Sequence, residues 1–200
     1  MGRKPRIPSE TGYYHVVARG NRHEAIFREP NDYTIYCRYI KQACQRYHIR
    51  VAHFCLMPNH THLLAWAENI EELSQAMHHV QRRYWFHGQR AYGLTGHLWQ
   101  GRFHSFPVET EAYLLEAARY IERNPLEAKL VAALEQYPWS SFCFYITGSP
   151  TPVPLYATPM YEALGRTRKT RRNAYRTFVE TPQPYDHSMR QKLEKVAAYA

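Results

Sequence analysis

Ile49-Arg50-Val51-Ala52-His53-Phe54-Cys55-Leu56-Met57-Pro58-Asn59-His60-Thr61-His62-Leu63-Leu64-Ala65-Trp66 sets two runs of apolar, branched and aromatic residues on either side of a Pro-Asn turn signal. The runs predict two adjacent antiparallel strands, tightly joined, and therefore a sheet at the centre of the fold. Successive side chains of a strand point to opposite faces, so His60 and His62 project from one face, about 7 Å apart along the strand. Two imidazoles so placed can share a divalent cation. They equally suit a half-exposed polar face, because a metal site usually needs a third protein ligand.

Upstream, Gly12–Ala18 predicts a first strand that Arg19-Gly20-Asn21-Arg22 breaks with a turn. The Arg19 and Arg22 side chains suit phosphate as well as they suit a solvated loop. From Asn31 to Tyr47, Tyr33, Tyr36, Cys37, Ile40, Cys44 and Tyr47 recur at helical spacing, with Pro30 near the start. Downstream, Asn69 or Ser74 can cap a second helix running to about Arg90, with a basic edge at Arg82, Arg83 and Arg90. After a Gly93–Gly96 loop, Leu98–Val108 alternates in places like a strand. There Trp99 and Arg102 form either a base-stacking edge or part of a plain hydrophobic strand.

Glu109-Thr110-Glu111 opens a third helix through about Arg123, and Asn124-Pro125 is expected to end it. Leu114, Ala118 and Ile121 mark its buried stripe, while Tyr120 and Asn124, four apart, share a face beside it. A helical Tyr is ordinarily packing, yet Tyr also serves as a covalent nucleophile. The order β, α, β, β, α, β, α predicts an α+β sandwich, ferredoxin-like or RRM-like, with a central antiparallel sheet, helices on one side and an added helix.

Composition changes after Trp139–Phe142. Gly148–Pro154 reads as a linker, and Gly165–Arg176 carries Arg166, Arg168, Lys169, Arg171, Arg172 and Arg176 without an acid. The chain thus divides into a domain over residues 1–147 and, over 148–200, a Pro-containing linker with a basic tail that either attracts phosphates or is simply solvated. Residues 1–10 are expected as a flexible basic arm. Lys and Arg exceed Asp and Glu by 26 to 17, a net +9, which favours a polyanionic partner. No apolar run approaches the ~20 residues of a spanning helix, and the basic start lacks a hydrophobic signal region. Gly2 is no myristoylation site because Arg6 stands where Ser or Thr is needed. A cytoplasmic protein without membrane attachment is expected, and four Cys without a C-x-x-C pair suggest buried free thiols.

Met57–Leu64, followed some sixty residues later by Ala118-Arg119-Tyr120-Ile121-Glu122-Arg123-Asn124-Pro125, resembles the HUH single-tyrosine transposases. The resemblance is strongest to their REP-associated tyrosine branch, related to the insertion-sequence single-strand transposases. The Arg19–Arg22 turn and Trp99–Phe103 are similar to that branch too, so the likeness spans about residues 12–145. Thr61 departs from the usual bulky hydrophobic residue, and its side chain is expected to face away from the metal. The resemblance implies that Tyr120 is the catalytic nucleophile and that His60, His62 and Asn124 hold Mg²⁺ or Mn²⁺. It implies cleavage of single-stranded DNA at imperfect-palindrome REP-like hairpins through a 5′-phosphotyrosine, by a monomer, with a dimer as the alternative. Arg19, Asn21, Arg22, Arg82, Arg83, Trp99, Arg102, Arg119, Arg123, Arg168, Lys169, Arg171 and Arg172 are the candidate DNA contacts. Two rival readings remain open on the residues alone: a non-catalytic nucleic-acid-binding module of RRM-like fold, and a metal nuclease that uses water.

Overall fold

The computed structural model describes residues 5–181 and 187–200. Four strands, β1 (Tyr13–Arg19), β2 (Arg50–Leu56), β3 (His60–Trp66) and β4 (His104–Pro107), form one sheet in the order β2-β3-β1-β4 with every neighbour antiparallel. Helix α1 (Pro30–Tyr47) connects β1 to β2, and α2 (Ile70–Tyr92) connects β3 to β4. This β-α-β-β-α-β connection is the ferredoxin-like arrangement expected from the element order.

Strand alternation divides the core in two. Val16, Ala18, Phe54, Leu56, Leu63 and Ala65 meet Tyr36 and Ile40 of α1 and Leu73, Met77, Val80 and Tyr84 of α2. On the opposite face Ala52, Cys55 and Leu64 pack against Tyr113, Leu114, Ala117, Ala118 and Ile121 of α3 (Glu111–Glu127). The added helix therefore closes the second face of the sheet. Asn69 caps α2 by accepting from the Glu72 N–H at 2.8 Å, and Thr110 caps α3 through the Tyr113 N–H.

Several expectations are corrected. The strand anticipated over Leu98–Val108 contracts to His104–Pro107, because Trp99 makes only an isolated bridge to Gly20 before the chain turns away from β1. Pro125 does not end α3 but lies buried inside it, and the helix continues to Glu127 with the Ala128 N–H on Asn124 O at 2.9 Å. Only the bond that a residue-125 N–H would have made to Ile121 is lost. The region expected as linker and tail folds into α5 (Pro159–Ala163), α6 (Arg168–Glu180) and α7 (His187–Ala197). Tyr161, Tyr175 and Val179 share a buried cluster with Phe142, Tyr145 and Ile146, of which Phe142, Tyr145 and Ile146 belong to α4 (Phe142–Thr147). The cationic side chains of α6 had masked this apolar stripe, which recurs at i and i+4.

Of the arm expected to be flexible, residues 1–4 lie outside the described residues, and Arg6 is held over the Phe103 ring at 3.8 Å. All four cysteines are free, Cys37 and Cys55 buried. Among the described residues no helix is long and apolar enough to cross a membrane.

Candidate active site

The site is built on β3. The turn before it is fixed by backbone bonds from Met57 N to His60 O and from Gly20 N to Asn59 O, at 2.9 and 2.8 Å. A Cβ on Gly20 would meet Glu24 O at 2.3 Å, so only glycine allows this approach. Alternation then sends Thr61 to the α1–α2 face, where its hydroxyl lies 3.5 Å from Tyr36 Oη, and sends His60 and His62 to the face covered by α3. The imidazole centroids are 4.9 Å apart.

Each imidazole is oriented through Nδ1. His60 Nδ1 lies 2.7 Å from Asn59 Oδ1, an atom that can only accept, so the proton sits on Nδ1 and Nε2 carries the lone pair. His62 Nδ1 lies 3.0 Å from Nε2 of His15 on β1. With His62 donating, its Nε2 also presents a lone pair. The Nε2 atoms of His60 and His62 are both buried and neither has a hydrogen-bond partner. His60 is 9% exposed and His62 fully buried. Buried polar atoms left this way call for a ligand.

Burial keeps the three imidazoles neutral, the state a metal requires. His60 is lowered to about 4, by desolvation first and then by Arg19 and His23, with Asn124 opposing. His62 is held well below the usual histidine range by desolvation and by His60 and His15. His15 is lowered to about 3 by desolvation.

Helix α3 brings the second half of the site. The Tyr120 ring stands edge-on to His62 at 5.6 Å and to His15 at 5.8 Å between centroids. One turn on, Asn124 Nδ2 donates to Tyr120 O at 2.7 Å, leaving Oδ1 as the free acceptor of that amide. The amide acts on both His60 and His62 in the direction of their protonated forms, as an oxygen acceptor would, although no hydrogen bond of normal geometry closes on either Nε2. Among the described residues no three His, Cys, Asp or Glu side chains could hold an ion together. Any third protein donor to an ion here would be of another type, and Asn124 Oδ1 fits.

Below Asn124 the helix is anchored by a buried carboxylate. Glu122 Oε1 accepts from Ser141 Oγ at 2.6 Å and lies 2.9 Å from His53 Nδ1. A register shift between Val51 and His53 in β2 turns His53 toward α3. Tyr175 Oη completes the group, 3.3 Å from His53 Nδ1. Desolvation pushes the Glu122 carboxyl up, with His53 and Ser141 opposing.

The candidate DNA contacts separate into groups. Arg19 lies on the site face and donates to Gln100 Oε1 at 2.6 Å and to Ala200 O at 3.3 Å. Asn21 N is bound to Leu98 O, and Arg22 is exposed in a left-handed conformation with φ 53°. Arg102 is exposed beside them, in a cleft with Arg6, Phe103, His104 and Tyr199. Trp99 is not a free stacking edge: it donates to Gln81 O at 3.1 Å and packs toward Tyr36 and Tyr84.

Arg119, at 1% exposure, pairs with Glu116 at 2.9 Å beneath Phe178 and is an internal residue rather than a DNA-facing cation. Arg123 donates to Val179 O at 2.9 Å and to Glu180 O, closing the end of α6. Arg171 pairs with Glu162, and Arg172 lies against Gly148, whereas Arg168 and Lys169 are exposed at the start of α6. Arg82 and Arg83 are exposed on α2, on the far side of the sheet from Tyr120. Sequence reasoning missed His15, Asn59 and the His53–Glu122–Ser141 group. A lone His inside an otherwise apolar strand was the available signal for His15.

Comparison with known proteins is consistent with this geometry. A protein of Haemophilus influenzae assigned as a REP-associated tyrosine transposase is 25% identical over 112 residues, which are 51% of this chain and 64% of that relative. The match thus spans less than two thirds of the relative's length. A solved structure of the REP-associated tyrosine transposase bound to a REP hairpin superposes with a TM-score of 0.62 at 17% identity, covering 80% of this chain and 93% of the other. At that identity the likeness establishes the fold. The family model described as "Transposase IS200 like" matches residues 9–124, from the approach to β1 through Asn124. The chain belongs to the IS200-like transposase family.

Proposed function

We propose that this protein is an HUH nicking and joining enzyme, a divalent-metal-dependent endonuclease and strand transferase that acts on single-stranded DNA at imperfect-palindrome, REP-like hairpins. The observation that carries the reading is the meeting of two buried imidazoles with unpartnered Nε2 atoms and the Tyr120 ring, 5.6 Å from His62, within one chain. His60, His62 and Asn124 would hold Mg²⁺ or Mn²⁺. When bound, the cation neutralises charge on the phosphoryl oxygens and orients the scissile phosphate.

The remaining chemistry belongs to the chain. Tyr120 Oη attacks phosphorus, the Oη–P bond forms and the P–O3′ bond breaks. The phenol loses its proton, the departing 3′ oxygen gains one, and the products are a 5′-phosphotyrosine and a free 3′-hydroxyl. The ester conserves the bond energy, so a second 3′-hydroxyl can rejoin the strand without ATP. The exposed cations Arg22 and Arg102, with Arg19, lie on the site's side of the molecule and suit phosphate contact. The hairpin in the solved neighbour and the assignment of the Haemophilus relative support REP-like palindromes as the substrate. Tyr120 approaches the histidines of its own chain, which supports action as a monomer.

A denaturing gel tests the reading, using labelled single-stranded hairpin DNA with Mg²⁺ or Mn²⁺. Wild type is expected to give a metal-dependent, protease-sensitive shifted band that Tyr120→Phe abolishes while hairpin binding persists. Cleavage without a shifted band would identify a water-using nuclease, and tight binding without cleavage a binding module. Imidazole ligands favour Mn²⁺ over Mg²⁺, so calorimetry is expected to show tighter Mn²⁺ binding.

A further inference from the structure

The seam between α1 and α2 faces away from the sheet and from the site. Three adjoining shallow clefts run along it and all include Arg83. Their cations are Arg46 from α1 and Arg82, Arg83 and Arg90 from α2, with the His78 and His79 imidazoles beside them. No carboxylate of α1 or α2 opposes them. The single acid of α1, Asp32, is buried and taken up by His87 and Tyr92, and those of α2, Glu71 and Glu72, lie in its first turn. Among the described residues no ion pair includes any of the six. The crowding registers on His79, whose pKa is lowered by desolvation and then by Arg46, Arg83 and His78.

Such a surface lacks what a membrane or a single strand would use. The apolar faces of α1 and α2 are spent on the sheet, and Phe86, at 36% exposure, is the large apolar side chain left on the seam. A membrane-surface helix needs an apolar face to bury among lipids. A single strand needs open aromatic platforms. Here Tyr39 is already covered by Arg83 at 5.4 Å and Tyr47 by Arg46 at 5.5 Å. The stripe from His78 to Arg90 is about 18 Å long at the helical rise, and duplex DNA offers a phosphate charge about every 1.7 Å of axis.

We infer that the α1–α2 seam binds the phosphate backbone of a DNA duplex, without reading its sequence, and that this duplex is separate from the strand held at the catalytic face. The sheet and the α1–α2 layer lie between the two surfaces, so one chain can hold two DNA segments at once.

Fluorescence anisotropy of the full chain in EDTA, with a labelled non-palindromic duplex and a salt series, tests this. Arg46→Gln/Arg90→Gln and Arg82→Gln/Arg83→Gln are each expected to weaken duplex binding about tenfold near 0.1 M salt and to reduce the salt slope by about two. The Arg46→Gln/Arg90→Gln chain is expected to bind the hairpin and form the tyrosine adduct like wild type. Unchanged duplex affinity in both variants would overturn the proposal. So would an equal loss of hairpin binding, which would make the seam part of the hairpin site, or a loss confined to phosphatidylserine vesicles. Duplex binding is read without metal or Tyr120, so failure of the cleavage assay leaves this result legible.

Discussion

With His62 Nδ1 donating to His15 Nε2 across 3.0 Å, His62 Nε2 is left as a lone pair for a ligand. Partners of this kind fix the tautomer and ring orientation of a metal ligand, and their loss typically lowers affinity about 10- to 100-fold. His15→Ala is accordingly expected to weaken Mn²⁺ binding by that factor in calorimetry, with His15→Gln intermediate. Wild-type affinity in His15→Ala would remove the role. The same burial makes the fold sensitive to acid. His60 titrates at about 4 and His15 at about 3 in the native state, against about 6.5 when unfolded. As pH falls below 6.5 the unfolded chain takes up protons that the native chain refuses. Stability is therefore lost from about pH 6.5 down through each native value, at about 1.4 kcal/mol per pH unit per histidine. Urea unfolding of metal-free protein at pH 7 and pH 5 checks this, and equal stabilities would contradict it. His60, His62, Tyr120 and Asn124 were legible as a motif, whereas His15 joins them through the pairing of β1 with β3, a register that no local pattern encodes.

Helix α3 is placed by Glu122 as much as by its apolar stripe. The carboxylate joins the helix to His53 on β2 and to Ser141, whose Oγ also accepts from Phe54 N at 2.9 Å. Removing one member of such a buried polar group leaves the others unpaired, typically at a cost of about 3–5 kcal/mol. Glu122→Ala is expected to lower the thermal midpoint strongly, and Glu122→Gln, which retains an acceptor, less so. Equal midpoints for wild type and Glu122→Ala would show that the group does not anchor the helix. In the sequence Glu122 stands between Arg119 and Arg123, and nothing local marks it as buried. Pro125 likewise reads as a stop, yet the helix passes through it, because losing one backbone bond costs less than withdrawing a buried turn.

The whole molecule is more continuous than its composition suggests. Tyr145 and Tyr175 are fully buried in the cluster that joins α4 to α6, and Tyr145 Oη donates to Ala52 O of β2 at 2.6 Å. Truncation after Gly148 is therefore expected to uncover Phe142, Tyr145 and Ile146, each of which gains about 1.5–3 kcal/mol from burial. The truncated chain should unfold at a lower temperature than the full chain, and equal melting would restore the picture of an independent tail. The ferredoxin-like core was legible because its element order is written locally, whereas the C-terminal packing depends on contacts between segments far apart in sequence. Within that core β3 is bonded on both sides, to β1 and to β2. Its amides can exchange with deuterium only when the sheet comes apart, an opening that costs close to the global unfolding free energy. The spacing of His60 and His62 therefore persists for as long as the native state itself.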